Sequence, residues 1–503
     1  MKKKIIKICF LSLIVFNSCI NDDSLSKEGQ IVIAENQKEP LSNKEISNKL
    51  LFRVKTGEKF NWNMATAYEV WSAIQNGNKV CTIGFGNNKN EFDRKKTANQ
   101  EQIQNQLLNI IAKYEEKEIE KILLNKDPYL NLIDVYIEKQ ETIIALKRLG
   151  YVRYIEPGDF KLETTPDPRS KDSSSSSVCG LESELISSTD YTTITPNAKV
   201  PWAFYNHNIP SAWQYSTGKG ITLAIVDTGA STVNSLLNEN FNNGNSTGRT
   251  IQKYGVYVNS IWPWSTGYDG ANDQCGHGTS MSSVAASPRN DKGQPVGVAY
   301  NCNLVTYRAA SNVVLDGYQE LEGVKKAFTD LGNNPSVRVI SMSMGNIISS
   351  SKIEDGIRYA YSKGKLIFCA AGTSTDFTSS YGVIFPAWMA ETVAVTGLKE
   401  SSSYQACDVC HSGSKVEFAI MMQRNNTGNK IPVNSYYDGQ GDYVGGSSVA
   451  TATTAGIATL IWAKNPTWTR DQVLNKLCQS SAFYGNKHPE FGYGMPDALK
   501  AVQ

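Results

Sequence analysis

Three stretches hold side chains able to run acyl transfer. Gly445-Gly446-Ser447-Ser448-Val449-Ala450 opens a run of small residues that reaches Gly456 and then meets Leu460, Ile461 and Trp462. From Ser448 to Ala463 there is no charge, which predicts a helix buried on every side. A serine at the start of such a helix sits at the positive end of its dipole, a place that favours an alkoxide and a neighbouring oxyanion. Gly276-His277-Gly278-Thr279 offers an imidazole ahead of a second small-residue stretch, and Asp227-Thr228-Gly229 offers a carboxylate at the end of an apolar run. A serine hydroxyl is a poor nucleophile at neutral pH. A histidine can take its proton and later return it to a leaving amine, while an aspartate fixes the histidine tautomer. Each stretch alone also has a plain reading: close helix packing or an N-cap for Ser448, a turn histidine for His277, a cap after a strand for Asp227.

The elements that must position these residues alternate. Residues 221–226, 304–307, 337–343, 366–370 and 392–395 read as buried strands. Between them, Leu321, Val324 and Phe328 mark one helix face. Ser351 with Glu354 suggests a capping box whose helix carries Ile353, Ile357 and Ala360 and ends at Gly364. Thr469 with Gln472 suggests another, with Val473 and Leu477 inward. Strands interleaved with helices imply an α/β fold, a doubly wound and mainly parallel sheet covered on both faces, with functional residues at the strands' C-terminal ends.

A smaller α+β unit precedes it. Residues 79–85, 132–137 and 151–157 read as strands, 101–113 as a helix with Ile103, Leu107, Ile110 and Ile111 on one face, and 140–149 as a short helix closed by Gly150. Residues 161–195, with Pro166, Pro168 and a serine run at 173–177, read as a linker.

Asp, His and Ser in that chain order on an α/β scaffold match the subtilisin order of the triad. Ile225-Val226-Asp227-Thr228-Gly229, Gly276-His277-Gly278-Thr279, Gly446-Ser447-Ser448-Val449-Ala450 and Phe491-Gly492-Tyr493-Gly494 together make residues 196–503 resemble a subtilisin-like serine protease. The resemblance implies a serine endopeptidase with Asp227, His277 and Ser448 as triad, acting on proteins or peptides through an acyl-enzyme. Residues 144–157 resemble the end of subtilisin-type propeptides. That makes 51–160 a folding chaperone and intramolecular inhibitor whose tail would lie through the active site, with activation cleavage between about Phe160 and Val200 in an exposed segment.

Departures from the family pattern are visible. The stretch Ala370-Ala371-Gly372-Thr373 carries Thr373 where the family supplies an oxyanion-hole asparagine, and a hydroxyl is shorter and rotates. Ser447, Val449, Ala452 and Thr453 replace threonine, methionine, proline and histidine. By the same resemblance, Ser343-Met344-Gly345 is the edge along which a substrate backbone would pair. Ala370, Ala371 and Gly372 form a wall of the primary specificity pocket, and Ile384 lies near its apolar floor.

Lys2, Lys3, Lys4 and Lys7 followed by a short apolar run form a signal peptide, residues 1–18. Asn17-Ser18-Cys19 resembles a lipoprotein processing site, so Cys19 would carry a lipid and residues 19–50 would be a tether. An ordinary cleaved signal with an incidental cysteine is the alternative. Asp22 and Asp23 resemble a surface-export signal. The expected location is the cell envelope, at the outer membrane or cell surface, or release after processing. A net charge of +2 gives no argument for a nucleic-acid partner.

Of the ten cysteines, Cys179, Cys275, Cys302, Cys369, Cys407, Cys410 and Cys478 fall past the N-terminal unit, an odd number, so at least one thiol stays free or pairs elsewhere. Cys275 could pair with Cys302 or remain a thiol near His277. Cys407 and Cys410 suit a local disulfide or free thiols better than zinc, since no second such pair exists. No metal site and no required cofactor are expected. The asparagine-rich residues 238–245 could hold a structural calcium through carbonyls, or form a solvated loop. His207, His411 and His488 read as surface residues. Two other functions fit the same features: a dedicated processing protease for one exported peptide, and a catalytically silent peptide-binding surface lipoprotein.

Overall fold

A computed structural model describes residues 39–89, 91, 97–163, 179–373, 382–401 and 403–503. The signal segment, Cys19 and the serine run at 173–177 lie outside the described residues. Among those described, no helix is long and apolar enough to cross a membrane.

The N-terminal unit begins earlier than expected. Ser42 caps a helix, Asn43–Lys55, through a capping box with Glu45, so residues 43–50 are helical rather than tether. Thr66 and Glu69 build the same device for Ala67–Asn76. The strands are β1 (Val80–Phe85), β2 (Leu123–Lys126), β3 (Leu132–Tyr136) and β4 (Val152–Pro157), in the antiparallel order β2-β3-β1-β4. One sheet face packs with Leu107, Leu108 and Ile111 of the helix Ala98–Glu115 and with Val70 and Ile74.

Part of the expected linker is ordered. Residues 179–187 lie on the C-terminal region, where Gly180 N–H donates to Cys275 O at 2.8 Å and Glu184 N–H to Gly441 O at 3.0 Å. β5 (Tyr191–Ile194) and β6 (Ala198–Pro201) then form a hairpin.

The C-terminal region is built on β7 (Thr222–Asp227), β8 (Ile251–Gly255), β9 (Asn303–Arg308), β10 (Val337–Met342), β11 (Leu366–Ala370), β12 (Val393–Lys399) and β13 (Val416–Gln423). They form one sheet in the order β13-β12-β11-β10-β7-β9-β8, and every neighbouring pair is parallel. The first strand lies inside the sheet and the order reverses around it, as expected for a doubly wound fold. One face is covered by the histidine helix (His277–Ala286) and the serine helix (Gly446–Lys464). The other is covered by the Tyr318 helix (Tyr318–Asn333) and the Ser351 helix (Ser351–Ser362). In the serine helix every residue from Gly446 to Trp462 is buried, as its uncharged sequence predicts. The Thr469–Gln472 capping box forms as read. The one at Ser351 does not: Ser350 is the cap, Ser351 is the first helical residue, and Glu354 pairs with Arg358 at 2.6 Å.

The N-terminal sheet docks on the Tyr318 and Ser351 helices. Arg153 grips Asp355 with two hydrogen bonds, at 3.0 and 2.6 Å, and Tyr154 Oη donates to the same carboxylate at 3.0 Å. Fully buried Lys352 meets Asp134 at 2.9 Å, and Lys325 meets Asp127 at 2.6 Å. Asp159 accepts from Tyr318 N–H at 2.9 Å, at the start of the Tyr318 helix.

Candidate active site

β7 ends on Asp227, which is wholly buried. Its Oδ1 accepts from Thr228 N–H at 2.8 Å and from His277 Nδ1 at 2.7 Å. This bond sets the tautomer: with Nδ1 carrying the proton, Nε2 is the free base. His277 is the first residue of its helix, behind Gly276, whose φ of +89° a side chain would resist. Burial alone would lower the imidazole pKa. The Asp227 charge, the hydrogen bond to it and the charge of Asp273 outweigh burial and leave His277 above its ordinary value.

Asp273 is a functional residue that sequence reasoning missed. Its buried carboxylate accepts from Cys275 N–H at 3.0 Å, Gly276 N–H at 2.8 Å, Thr228 Oγ1 at 2.9 Å, Thr279 N–H at 2.8 Å and Thr279 Oγ1 at 2.7 Å. It thus knots the turn before His277 to the first turn of the helix after it. Its only trace in the sequence is its place four residues before His277. A disulfide, Cys179–Cys275, secures the same turn from outside, so Cys275 is neither a thiol nor the partner of Cys302.

Ser448 lies in the first turn of the serine helix, which packs against the histidine helix. Among the described residues, no hydrogen bond joins Ser448 Oγ to His277, and such bonds often tighten only with substrate present. The helix start is reached closely from β11. Thr373 Oγ1 lies 3.1 Å from Ser447 Oγ and accepts from Ser447 N–H at 3.3 Å. Gly446 is required here: its φ is +79°, and a Cβ would stand 2.6 Å from Thr373 Oγ1. Thr373 therefore caps the serine helix rather than projecting as an amide would.

The predicted substrate segments converge. Ser343 Oγ donates to Ser448 O at 3.1 Å. Gly345 and Ala371 are bridged by residues 384–385: Ile384 N–H donates to Ala371 O at 2.9 Å, and a Cβ on Gly345 would meet Ile384 Cδ1 at 3.2 Å. Met344 is buried, and Ala370 ends β11. Gly372 N–H donates to Ser447 Oγ at 3.1 Å.

Two of the three remaining histidines are core residues, not surface ones. His411 packs behind Gly372, where a Cβ would stand 2.4 Å from its Nδ1, and that nitrogen lies 2.6 Å from Gly382 O. His207 is buried with Nδ1 2.9 Å from Pro496 O and Nε2 accepting from Met421 N–H at 3.1 Å; burial pushes it down to about 4. His488 is half-buried. Cys407 and Cys410 form the local disulfide, while Cys81, Cys302, Cys369 and Cys478 are free and buried. Among the described residues, no cluster of three or more His, Cys, Asp or Glu could hold a metal ion. In the asparagine-rich loop, Asn238 Nδ2 donates to Ser231 O at 3.0 Å and Asn234 O at 2.7 Å, and Asn242 Nδ2 to Arg249 O at 2.9 Å, so these amides tie the loop to itself.

An imidazole backed by a buried acid, beside a helix that opens on serine, is the equipment of a serine hydrolase. Comparison with known proteins narrows the class. Residues 218–495, more than half of the chain, match the subtilase family, peptidase S8, and the chain belongs to that family. It is a subtilisin-like serine endopeptidase. It is 28% identical over 320 residues to a subtilisin of Bacillus sp. (strain TA39), covering 59% of this chain and 70% of that one. It is 29% identical over 232 residues to subtilisin E of Bacillus subtilis (strain 168), covering 46% and 57%. Among solved structures, fervidolysin from Fervidobacterium pennivorans aligns with a TM-score of 0.57 at 15% identity, covering 84% of this chain and 61% of that one. The epidermin leader peptide processing serine protease from Staphylococcus aureus aligns at 0.55 and 16%, covering 84% and 99%. At those identities the likeness is one of fold.

Proposed function

We propose that the chain is an exported zymogen whose triad is Asp227, His277 and Ser448, and that residues 40–163 are its prodomain. The carrying observation is the 2.7 Å bond between His277 Nδ1 and Asp227 Oδ1, on a helix packed against the one that starts beside Ser448. His277 Nε2 takes the proton of Ser448 Oγ as that oxygen attacks the scissile carbonyl carbon. The imidazolium that forms is stabilised by Asp227, with Asp273 as a second nearby anion. The oxyanion gathers at the N-terminus of the serine helix, where the Ser448 N–H is the first donor. His277 then gives its proton to the leaving amine, and water repeats the sequence on the acyl-enzyme. Substrate backbone pairs with Ser343, Met344 and Gly345, with Ala370, Ala371 and Gly372 opposite. Thr373, committed to Ser447, contributes weakly to the oxyanion hole, which favours a slow and selective enzyme.

The prodomain reading is supported by the buried ion pairs that dock residues 40–163 on two helices of the catalytic region. Export as a lipoprotein anchored through Cys19 at the cell envelope is supported by the basic and apolar residues that precede it.

The test is Ser448→Ala. The variant should accumulate as uncut precursor in a protease-deficient host and take no serine-directed fluorophosphonate, while the unsubstituted chain is cut, labelled and digests casein. A wild-type chain that neither labels nor cleaves would leave the silent peptide-binding reading in its place.

A further inference from the structure

The edge that a substrate must use is already occupied by the chain itself. Gly345 N–H donates to Val313 O at 2.9 Å, and Gly345 O accepts from Leu315 N–H at 3.2 Å. Residues 313–315 run parallel to the edge, with Val314 bridged to Gly345. In an extended strand the N–H and C=O of one residue point to the same side, so Gly345 can pair with one neighbour there. Ser343, two residues earlier, touches the backbone of Ser448. A peptide leading to Ser448 along this edge therefore meets Val313–Leu315 in its place.

Two side-chain contacts hold this strap, and the N-terminal unit closes a cavity beside it. Asn346 Nδ2 donates to Leu315 O at 2.7 Å. Asn312 Oδ1 accepts from Val313 N–H at 2.6 Å. Leu315, 2% exposed and packed in the same core cluster as Met344 and Phe385, lines a small cavity of about 40 Å³ together with Trp62, Phe160 and Leu162 of the N-terminal unit. Just beyond the strap, Asp159 accepts from Tyr318 N–H. The described tail after β4, through Glu163, folds back on the N-terminal unit. Phe160 stacks edge-on against Trp62 at 5.5 Å, Lys161 O accepts from Asn43 Nδ2 at 3.1 Å, and Glu163 N–H donates to Ser47 Oγ at 2.9 Å.

We propose that Val313–Leu315 is an internal plug of the substrate-strand position, held shut while the N-terminal unit is docked and displaced when substrate binds after that unit leaves. This rests on the peptidase reading above and adds its regulation. Latency then comes from the catalytic region's own segment, with the N-terminal unit acting as the hand that holds it. Departure of Phe160 and Leu162 would open the cavity beside Leu315, and departure of Asp159 would release the helix start at Tyr318 just beyond the strap.

Two probes that need different parts of the site test this. A small fluorophosphonate needs only Ser448 and its base. A tetrapeptide phosphonate with an apolar residue at the reacting end also needs the edge at Gly345. Both are applied to the full-length chain, and labelling is read on the uncut band of a gel. The plug predicts that the uncut chain takes the fluorophosphonate but reacts with the tetrapeptide probe at least about tenfold more slowly than processed enzyme does. Leu315→Pro deletes the donor to Gly345, and Asn346→Ala deletes the side-chain clamp on Leu315 O together with a longer bond from Ile348 N–H, so one variant stands in if the other misfolds. Each should raise the tetrapeptide rate on the uncut chain about tenfold with the fluorophosphonate rate unchanged. Equal reactivity of both probes with the uncut wild-type chain, or a probe ratio unmoved in both variants, overturns the plug. Failure of the fluorophosphonate to label Ser448 in any form overturns the peptidase reading instead, and the plug falls with it.

Discussion

Glu156, near the end of β4, lies across the N-terminus of the helix that starts at Ser351. Its Oε2 accepts from Ser351 N–H at 2.9 Å and its Oε1 from Lys352 N–H at 3.1 Å. Burial pushes this carboxyl up to about 7, against the helix donors that hold it down. In the same interface, Asp316 rises to about 6 through burial and the charges of Glu320 and Asp159, with Lys161 opposing.

A pH-dependent embrace follows from Glu156. In the separated units Glu156 would titrate in the ordinary range near 4, so docking takes up a proton between there and 7, while Asp316 keeps its Glu320 neighbour in either state. A raised carboxyl pKa favours the docked state at low pH, and that advantage is lost as pH rises through the docked value. Affinity between the N-terminal unit and the catalytic region should fall by about tenfold or more from pH 5.5 to pH 8. Size-exclusion chromatography of Ser448→Ala precursor nicked between residues 163 and 179 checks it: one complex at pH 5.5, progressive separation at pH 8. Glu156→Gln, neutral throughout, should flatten the profile. A complex that holds better at pH 8 would contradict the assignment.

Asp273 should matter to the reaction through His277. Asp273→Asn keeps the shape but removes an anion that raises the imidazole pKa and aims a donor at backbone N–H groups. We expect kcat to fall by about tenfold to a hundredfold, and the acidic limb of kcat/KM to move to lower pH because His277 then gives up its proton more readily. Pre-steady-state and pH–rate measurements decide this. If thermal stability falls while the acidic limb stays in place, Asp273 is only scaffolding.

How much of this could be read beforehand follows from where the determinants lie. Residues 221–226 and 366–370 announce buried strands because their apolar runs are local, and the uncharged stretch after Ser448 announces a buried helix for the same reason. His277 stands out through its flanking glycines, and Asp227 through its place at the end of an apolar run. The Ser351 capping box was misread because the caps of that helix come from Ser350 and from Glu156, which lies 195 positions earlier. The Cys179–Cys275 pairing, 96 residues apart, has no local signature either. Nor does the burial of His207 and His411: each is placed by a backbone carbonyl distant in sequence. The closed edge at Gly345 is also a tertiary fact, since nothing in Val313-Val314-Leu315 distinguishes a strap from a free loop.

Thr373 sets a separate expectation. Its hydroxyl is used at Ser447, so Thr373→Ala should reduce kcat by less than about tenfold, well short of the 10²–10³ lost when a subtilisin loses its side-chain oxyanion donor. Thr373→Asn places a longer donor at the same point and should raise kcat about tenfold or more with little change in KM, because the gain appears only as charge develops. Steady-state kinetics on one peptide anilide suffices. A large loss in the alanine variant would mean that the hydroxyl already serves the oxyanion.

The Cys179–Cys275 disulfide fixes where processing can occur and what it leaves behind. Residues 179–201 are held by main-chain bonds to Cys275 and Gly441 and by the β5–β6 hairpin, a poor substrate for an endopeptidase that needs an extended chain. The other side, through Glu163, is held on the N-terminal unit. Cleavage should therefore fall between residues 163 and 179. Cys81, in the N-terminal unit, is free and buried, so among the described residues no disulfide joins that unit to the rest. On a gel run without reductant the processed protein should resolve into two bands, and sequencing of the larger should begin before Cys179. An N-terminal fragment released only by reductant would place the cut after Cys179 instead. The same bond keeps a thiol away from His277. Cys179→Ser leaves Cys275 as a free thiol two residues from the base, so a mercurial that spares wild-type activity should inhibit this variant at stoichiometric concentration.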